Sequence, residues 1–465
     1  MMTIRKPKAA LLPLYLELYD QCVPDARKAF DPFMANVAAG LAARGIDVQR
    51  CPVCRLEAEF RAAVEQLDAN VDLIITLHLA YSPSLESVDV LADSPLPLLL
   101  LDTTPDADFG LDVDPKLIMH NHGIHGVQDL ACMLRRRSRR FAIVAGHWEQ
   151  SNVLDRAAGI ARAAYAARRF RTTRALRIGE SFRSMGDFSV DEQTFRDALG
   201  ISVTQVRPDE LAPHVEHVTD AMVNDEMAAD RERFLCVAGD DVHRRSLRLG
   251  LGLRRFIDDG AFTAFSMNFL SFMASDGPVS TVPFLEASKA MARGIGYAGE
   301  GDVLTASLVG ALLAGFGRAT FTEIFCPDWR GKALFLSHMG EFNPAVATGK
   351  PVLREKPFPY TPAQNPAFIT CAPQPGPATF VNLAPGPGSS FRLIIAPVDV
   401  LADARHPAMQ ESIRGWIRPR GGVARFLEEF SRLGGTHHSA LVLGEQAEAI
   451  EAFARFAGLE AMMMR

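Results

Sequence analysis

Four side chains in one apolar stretch of this chain are of the types that bind and use a metal ion. Glu300, Glu323, His338 and Glu341 all fall between Gly299 and Pro344, in sequence that otherwise reads as strands and a helix start. A His437-His438 pair follows far downstream in GGTHHSALVLG. Carboxylates with imidazoles are the ligand set of a divalent ion of the Mn, Co or Zn kind. Two carboxylates and one or two neutral imidazoles hold such an ion and leave positions open for a substrate's oxygens, which separates a catalytic site from a structural one. Glu300 sits in a glycine-flanked turn two residues before the helix expected from Asp302, where the positive helix end favours an ionised carboxylate. Each residue also has a plain structural alternative. Glu300 could cap its helix, and Glu323 could be a strand acid paired with an arginine, since a buried carboxylate needs a partner. Each histidine could be a hydrogen-bonded core residue, and Glu341 an exposed acid at a strand end. The pattern by itself leaves both readings open.

The elements that would position these residues follow from length and periodicity. At 465 residues the chain exceeds one core, and roughly 100–200 residues per domain implies two to four domains. With 48% hydrophobic and 22% charged residues it has the composition of a soluble globular protein. A net charge of −6 argues against a nucleic-acid binder, whose footprint is basic. The one basic cluster, Arg135 to Arg137 with Arg139 and Arg140, reads as a helix end favoured by the dipole rather than an anion site. The 7 cysteines are scattered. Cys51 and Cys54 have ligand spacing without a second pair, so reduced thiols in a cytoplasm are expected. The opening MMTIRKPKAALLPLYLELYD resembles a signal peptide, but Glu17 and Asp20 interrupt it, and a core strand is the better reading. The apolar run from Val303 to Phe316 is shorter than the ~20 residues of a membrane span. A soluble, cytoplasmic protein is expected.

The first third alternates strand and helix: a strand from Ala10 to Leu18, then an amphipathic helix from Asp25 to Arg44 closed by Gly45. The apolar runs LIITLHL (73–79), LPLLLLD (96–102) and FAIVAGHW (141–148) suit strands buried on both faces of a parallel sheet, and a helix is expected over Ser151 to Arg169. The pattern restarts with ALRIGES (175–181), ISVTQV, FLCVAG (234–239) and AFTAFSMNF (261–269), with helices over Asp220–Arg233 and Asp240–Asp259. Neither half has a GxGxxG after its first strand, so no dinucleotide cofactor is indicated. The last third is strand-rich: ATFTEIF, ALFLSHM, AFITCAP, ATFVNLAP, FRLIIAPVDV and HHSALVLG. Between Pro344 and Pro366, prolines 351, 357, 359 and 362 predict a loop that is neither helix nor central strand. The expected fold is α/β: two doubly wound, Rossmann-like domains (1–170 and 171–316) followed by a domain (317–465) with an antiparallel β-barrel closed by two terminal helices.

Several motifs in this order resemble the L-arabinose isomerase family over nearly the whole chain. AGEGD at 298–302 with Thr305, Glu323 with Ser337-His338-Met339, Glu341 and Pro344, and GGTHHS at 434–439 carry the resemblance. LYLELYD (14–20), Asn121 to Gly126 with its His125-Gly126 turn, Gly146-His147-Trp148 and TCAPQPGPATFVNL (370–383) extend it. Met185 in FRSMGDFSV and Phe269 in FTAFSMNF fall where that family's pocket residues do. The resemblance implies two α/β domains, then a barrel-containing domain. It also implies homo-oligomers, hexamers or tetramers, in which a neighbour's N-terminal domain completes each site. It makes Glu300, Glu323, His338 and His438 the ligands of a Mn²⁺-type ion, with Co²⁺ or Mg²⁺ as alternatives. His437 matches the adjacent supporting histidine, and His125, Met185, Phe269 and the first-strand Glu17 match the sugar pocket. The implied reaction moves a proton between C1 and C2 of an open-chain sugar through an enediol, with Glu300 and Glu323 as base and acid. Epimerisation at the same site, or sugar sensing without turnover, are the rival readings.

The departures from the family pattern are as informative. Val303-Leu304 replace Trp-Lys after GEGD, and Ile324 to Asp328 replace a polar run after the second glutamate. Leu16 or Glu17 stands for a glutamine, and the chain stops soon after its final helix. Ligand positions that match beside pocket neighbours that change imply the same proton transfer on a sugar other than L-arabinose.

Overall fold

The computed structural model describes residues 5–464, which form two compact units, residues 5–168 and residues 169–464. The first four residues of the signal-like opening lie outside the described residues.

The first unit is one parallel sheet. Strands β1 (Lys8–Leu14), β2 (Asp47–Arg50), β3 (Leu73–His78), β4 (Leu98–Asp102) and β5 (Ala142–Ala145) take the order β2-β1-β3-β4-β5. Every residue of β3 is buried, as a central parallel strand requires. The run FAIVAGHW departs from that expectation. β5 is an edge strand paired only with β4, so its alternate residues face outward and Ile143 is exposed. β1 also ends earlier than expected, and Glu17–Cys22 is a short helix. The helix expected from Asp25 is regular only over Asp31–Ala43. Before it, residues 26–30 form a tighter 3₁₀ turn. Pro32 has no N–H to donate back into a preceding turn, so the regular helix starts at its door.

At the carboxyl end of β3 the imidazole of His78 is buried, with Nδ1 2.8 Å from Ser82 Oγ. The helix Ile124–Arg136 begins against it. A Cβ on Gly123 would lie 2.3 Å from the His78 carbonyl oxygen, and one on Gly126 2.5 Å from His78 Nδ1. The glycines around His125 are therefore demanded by the approach of this helix to the strand end.

The second unit joins a parallel sheet to a barrel. β6 (Arg174–Ile178) and β7 (Ser202–Val206) follow the expected restart. FLCVAG does not join them. β8 is only Leu235–Cys236, with Leu235 and the following Val237 exposed, and pairs elsewhere. β9 (Ala264–Met267) and β10 (Gly296–Gly299) complete a four-stranded parallel sheet, β10-β9-β6-β7. The helix Val303–Phe316 is buried almost all round, because it packs on β6, β9 and β10 and also on barrel strands.

Six antiparallel strands close the barrel: β11 (Ala319–Asp328), β12 (Ala333–Ser337), β15 (Gly376–Pro385), β16 (Phe391–Val400), β17 (Gly415–Pro419) and β18 (His438–Leu443). Their order is β15-β18-β11-β12-β17-β16, and β15 pairs with β16 to complete the circle. The short run GWIRP (β17) was not foreseen and is needed for closure. AFITCAP was expected with the barrel, but as β14 (Ala367–Thr370) it pairs with β13 (Val352–Glu355), whose other neighbour is β8. β13 corrects the loop expectation: between Pro351 and Pro357 lies a proline-free run long enough for a central strand. β19 (Glu460–Met463) adds in parallel to β16, so a strand follows the second terminal helix.

Burial lowers the His78 imidazole from 6.5 to about 3, a shift the nearby Asp129 only partly opposes. The unfolded chain therefore takes up a proton at pH values where the folded unit refuses it. Stability is expected to fall as pH drops from about 6.5 towards about 3, by up to ~1.4 kcal/mol per pH unit for this one group. Denaturant unfolding between pH 7 and 4 should show a shallower pH slope for His78→Gln than for the wild type. Equal slopes would assign the acid sensitivity to other groups.

Candidate metal centre and active site

The cluster forms at one rim of the barrel, where β11 lies between β12 and β18. The register places Glu323 opposite Ser337 on one side and His438 on the other. His338 is thus the first residue beyond β12. Side chains two apart on a strand share a face, so Phe321 lies beneath Glu323. It is buried, with its ring edge-on to His338 at 4.6 Å and to His438 at 5.0 Å. Just past Glu323 the β11–β12 register slips between Ile324 and Cys326, leaving Phe325 exposed in a bulge.

Glu300 arrives from the other sheet, in the turn after β10. Its φ of 63° is left-handed, and Gly301 follows at 82°. A non-glycine residue held there costs on the order of 1–3 kcal/mol, the kind of strain that gathers at functional sites. Gly301 admits no side chain, since a Cβ would meet the Glu180 carbonyl oxygen at 2.7 Å. Gly299 is constrained by the site itself: a Cβ would stand 2.6 Å from His338 Cε1.

Each barrel histidine is fixed by a buried carboxylate. His438 Nδ1 is 3.0 Å from Asp302 Oδ2, while Asp302 Oδ1 accepts the Thr305 N–H as the cap of the helix Val303–Phe316. His338 Nδ1 is 2.8 Å from Glu341 Oε2, and Glu341 also accepts the Tyr297 hydroxyl and the Gly340 N–H. Both rings are therefore committed at Nδ1 and present Nε2. That of His438 is buried without a hydrogen-bond partner among the described residues, 3.5 Å from Glu300 Oε2. Asn382 on β15 holds the GGTHHS turn, with Nδ2 2.9 Å from the Thr436 carbonyl and 2.7 Å from that of His438.

Ligand atoms of Glu323, His338 and His438 lie within 4.8 Å of one another, and so do those of Glu300, His437 and His438. An orphaned, oriented imidazole nitrogen between two carboxylates fits a divalent ion of the Mn, Co or Zn kind. The two carboxyls are pushed apart. Burial works against ionised Glu300, but the His437 hydrogen bond and the imidazoles of His438 and His338 outweigh it and hold the group below its ordinary value. Burial raises Glu323, and the surrounding imidazoles only partly oppose it.

His437 turns the other way. Its backbone N–H donates to Asp187 Oδ2 at 2.9 Å, and its Nδ1 lies 2.6 Å from the same oxygen. Nε2 is left 3.4 Å from Glu300 Oε2. Burial disfavours its charged form, yet Asp187 and Glu300 prevail and raise it to about 10. Phe188, next along the chain, stacks on His438 at 5.2 Å and 11°.

Of the other residues marked from sequence, Phe269 is buried near this rim among Phe182, Phe358 and Tyr360. Phe182 donates its N–H to the Glu300 carbonyl at 2.9 Å. Met185 is half-buried in the same loop, but the contacts to the cluster come from Asp187 and Phe188. Glu17 and His125 belong to the other compact unit, where His125 is exposed at a helix start, edge-on to His122. Asp302 was read from sequence only as a helix start, and Asp187 was not singled out.

This architecture, with its rim of acids and imidazoles, is that of an aldose–ketose sugar isomerase, and the comparisons with known proteins agree. Residues 174–314 match the family model of the L-arabinose isomerase central domain, and residues 318–460 that of the L-arabinose isomerase C-terminal domain. The L-arabinose isomerase of Geobacillus kaustophilus is 27% identical over 403 residues, covering 84% of this chain and 80% of that protein. That of Herpetosiphon aurantiacus is 27% identical over 414 residues, 85% and 81% of the two chains. That of Anoxybacillus flavithermus is 28% identical over 403 residues, 84% and 80%. The chain belongs to the L-arabinose isomerase family, as a divergent member.

Because a Cβ at residue 299 must displace the His338 ring, Gly299→Ala is expected to weaken Mn²⁺ binding about 10-fold or more, read by titration calorimetry. Unchanged affinity would show that His338 does not hold the ion.

Proposed function

We propose that this chain isomerises an open-chain aldose to a ketose by moving a proton between C1 and C2, with Glu300 and Glu323 as the transfer pair. Glu300, Glu323, His338 and His438 hold a divalent ion, Mn²⁺ in the first instance and Co²⁺ or Mg²⁺ as substitutes. The observation that carries the reading is the pair of imidazoles locked at Nδ1 by Asp302 and Glu341, each presenting Nε2 to the space beside Glu300 and Glu323. When bound, such an ion supplies charge stabilisation for the sugar's C1 and C2 oxygens as the enediol forms.

The rest is the work of the protein's own groups. Glu300, favoured in its ionised form by His437, is suited to remove the proton. Glu323, whose carboxyl is pushed up by burial, is suited to give a proton of its own to the neighbouring carbon, and exchange with solvent then restores the starting protonation of the pair. Phe321 closes the floor and keeps water from beneath the carboxylates. Phe269 walls one side of the sugar pocket, and the Phe325 bulge beside Glu323 is where substrate choice differs from L-arabinose. Glu17 and His125, which belong to the other compact unit, serve the sugar pocket of a neighbouring copy in a homo-oligomer, hexamer or tetramer, as the resemblance to the family implies. The substrate class is pentoses, hexoses and their deoxy forms.

General acid–base catalysis supplies ~10²–10⁴-fold in rate, so Glu323→Gln is expected to fold and assemble but lose at least ~10²-fold in ketose formation. Turnover near the wild-type level would refute the assignment. A panel of aldoses should be assayed in D₂O after chelation and readdition of Mn²⁺, Co²⁺ or Mg²⁺. Ketose formation with solvent deuterium on the product is expected. Recovery of an epimeric aldose would make the enzyme an epimerase, and sugar binding without turnover would make it a sensor.

A further inference from the structure

The loop after β6 does something that the ligand set does not require. It reaches the His437-His438 pair from 250 residues away in sequence and touches both rings. Asp187 receives two hydrogen bonds from His437 on one oxygen, from the backbone N–H and from ring Nδ1. Phe188 lies flat on His438, 5.2 Å away and only 11° from parallel. Phe188 is buried, whereas Asp187 is exposed and spends its carboxylate on His437. A solvated acid gains little stability from such a bond, so its value lies in where it points the ring. The Nδ1–H is committed to Asp187, and Nε2 is left facing Glu300 Oε2 at 3.4 Å. Without Asp187 the ring is free to turn about its side-chain bonds, because His437 keeps 30% of its side-chain surface exposed.

We infer that Asp187 is a positioning residue for the proton transfer, one that locks the direction of the His437 ring so that Nε2 supports the Glu300 carboxylate. The inference rests on the isomerase reading given above. It assigns the Asp187-Phe188 segment to the active site as a clamp on the histidine pair, Phe188 fixing the plane of His438 and Asp187 the aim of His437.

The shared oxygen makes the role separable from that of charge. An asparagine carbonyl can accept the same two N–H bonds, so Asp187→Asn keeps the geometry while Asp187→Ala loses it. In crystal structures of the Mn²⁺-loaded full-length variants, the His437 ring is expected to face Glu300 in Asp187→Asn and to have left it in Asp187→Ala. With the aldose that the wild type turns over fastest, Asp187→Ala should lower kcat about 10–100-fold, with KM and Mn²⁺ affinity within about threefold. Asp187→Asn should recover kcat to within a few-fold, with thermal midpoints unchanged in both. A His437 ring that stays in place in Asp187→Ala would overturn the inference. So would an Asp187→Asn enzyme as slow as Asp187→Ala, which would assign Asp187 to charge rather than aim. If the wild type turns over no aldose, the isomerase reading fails by itself, and the ring positions still decide whether Asp187 aims His437.

Discussion

Everything at this site depends on two buried carboxylate–imidazole bonds, Asp302 to His438 and Glu341 to His338. A ring buried in a barrel could offer either nitrogen, in either tautomer. A carboxylate on Nδ1 removes that choice and makes Nε2 the more basic donor. A buried carboxylate without partners is expensive, and these two are satisfied several times over. Glu341 takes Tyr297, Gly340 and His338, while Asp302 takes His438 and the first turn of a helix. The acids are therefore stable in place before any ion or sugar arrives, and the histidines inherit that rigidity.

Asp302 also explains why a parallel sheet and a barrel form one compact unit. The helix it caps is apolar on every side because it is covered on every side, by β6, β9 and β10 and by β11, β15 and β18. A helix hydrophobic all round must be buried. The loop that carries Glu300 ends at that cap, so the position of one carboxylate relative to the barrel rim is set by a packed helix rather than by a flexible linker. The left-handed conformation of Glu300 is tolerable for the same reason: the glycine after it and the cap two residues on leave the chain no relaxed alternative.

How much of this was legible in the sequence varies with the range of the interaction. β3, β4 and the helix over Asp240–Asp259 were readable because continuous apolar runs and 3.6-residue periodicity are local signals. β17 was missed because five residues carry too little pattern, and FLCVAG was misassigned because an apolar run does not reveal which sheet it joins. The four residues Glu300, Glu323, His338 and His438 were marked by type and by motif. Of their partners, Glu341 was marked beside His338, whereas Asp302 was read only as a helix start and Asp187 was not singled out. Asp302 and His438 lie 136 positions apart, Asp187 and His437 250. Residue type at such a distance says nothing about contact, while Glu341, marked as a site acid with an exposed strand end as its alternative, proves to be buried.

The same distinction bears on divergence within the family. Substitutions that leave the Nδ1 anchors intact can change the surroundings of the ion without changing how its ligands are held. Val303-Leu304, directly after Asp302, are buried in the packed helix. Ile324 faces the barrel core, while Phe325 is pushed outward by the register slip. The departure from the family pattern over Ile324 to Asp328 thus begins where β11 stops being constrained by both neighbours. Glu323 is the last residue of β11 held by pairing on both sides, so the strand is fixed up to that carboxylate and freed on one side directly beyond it.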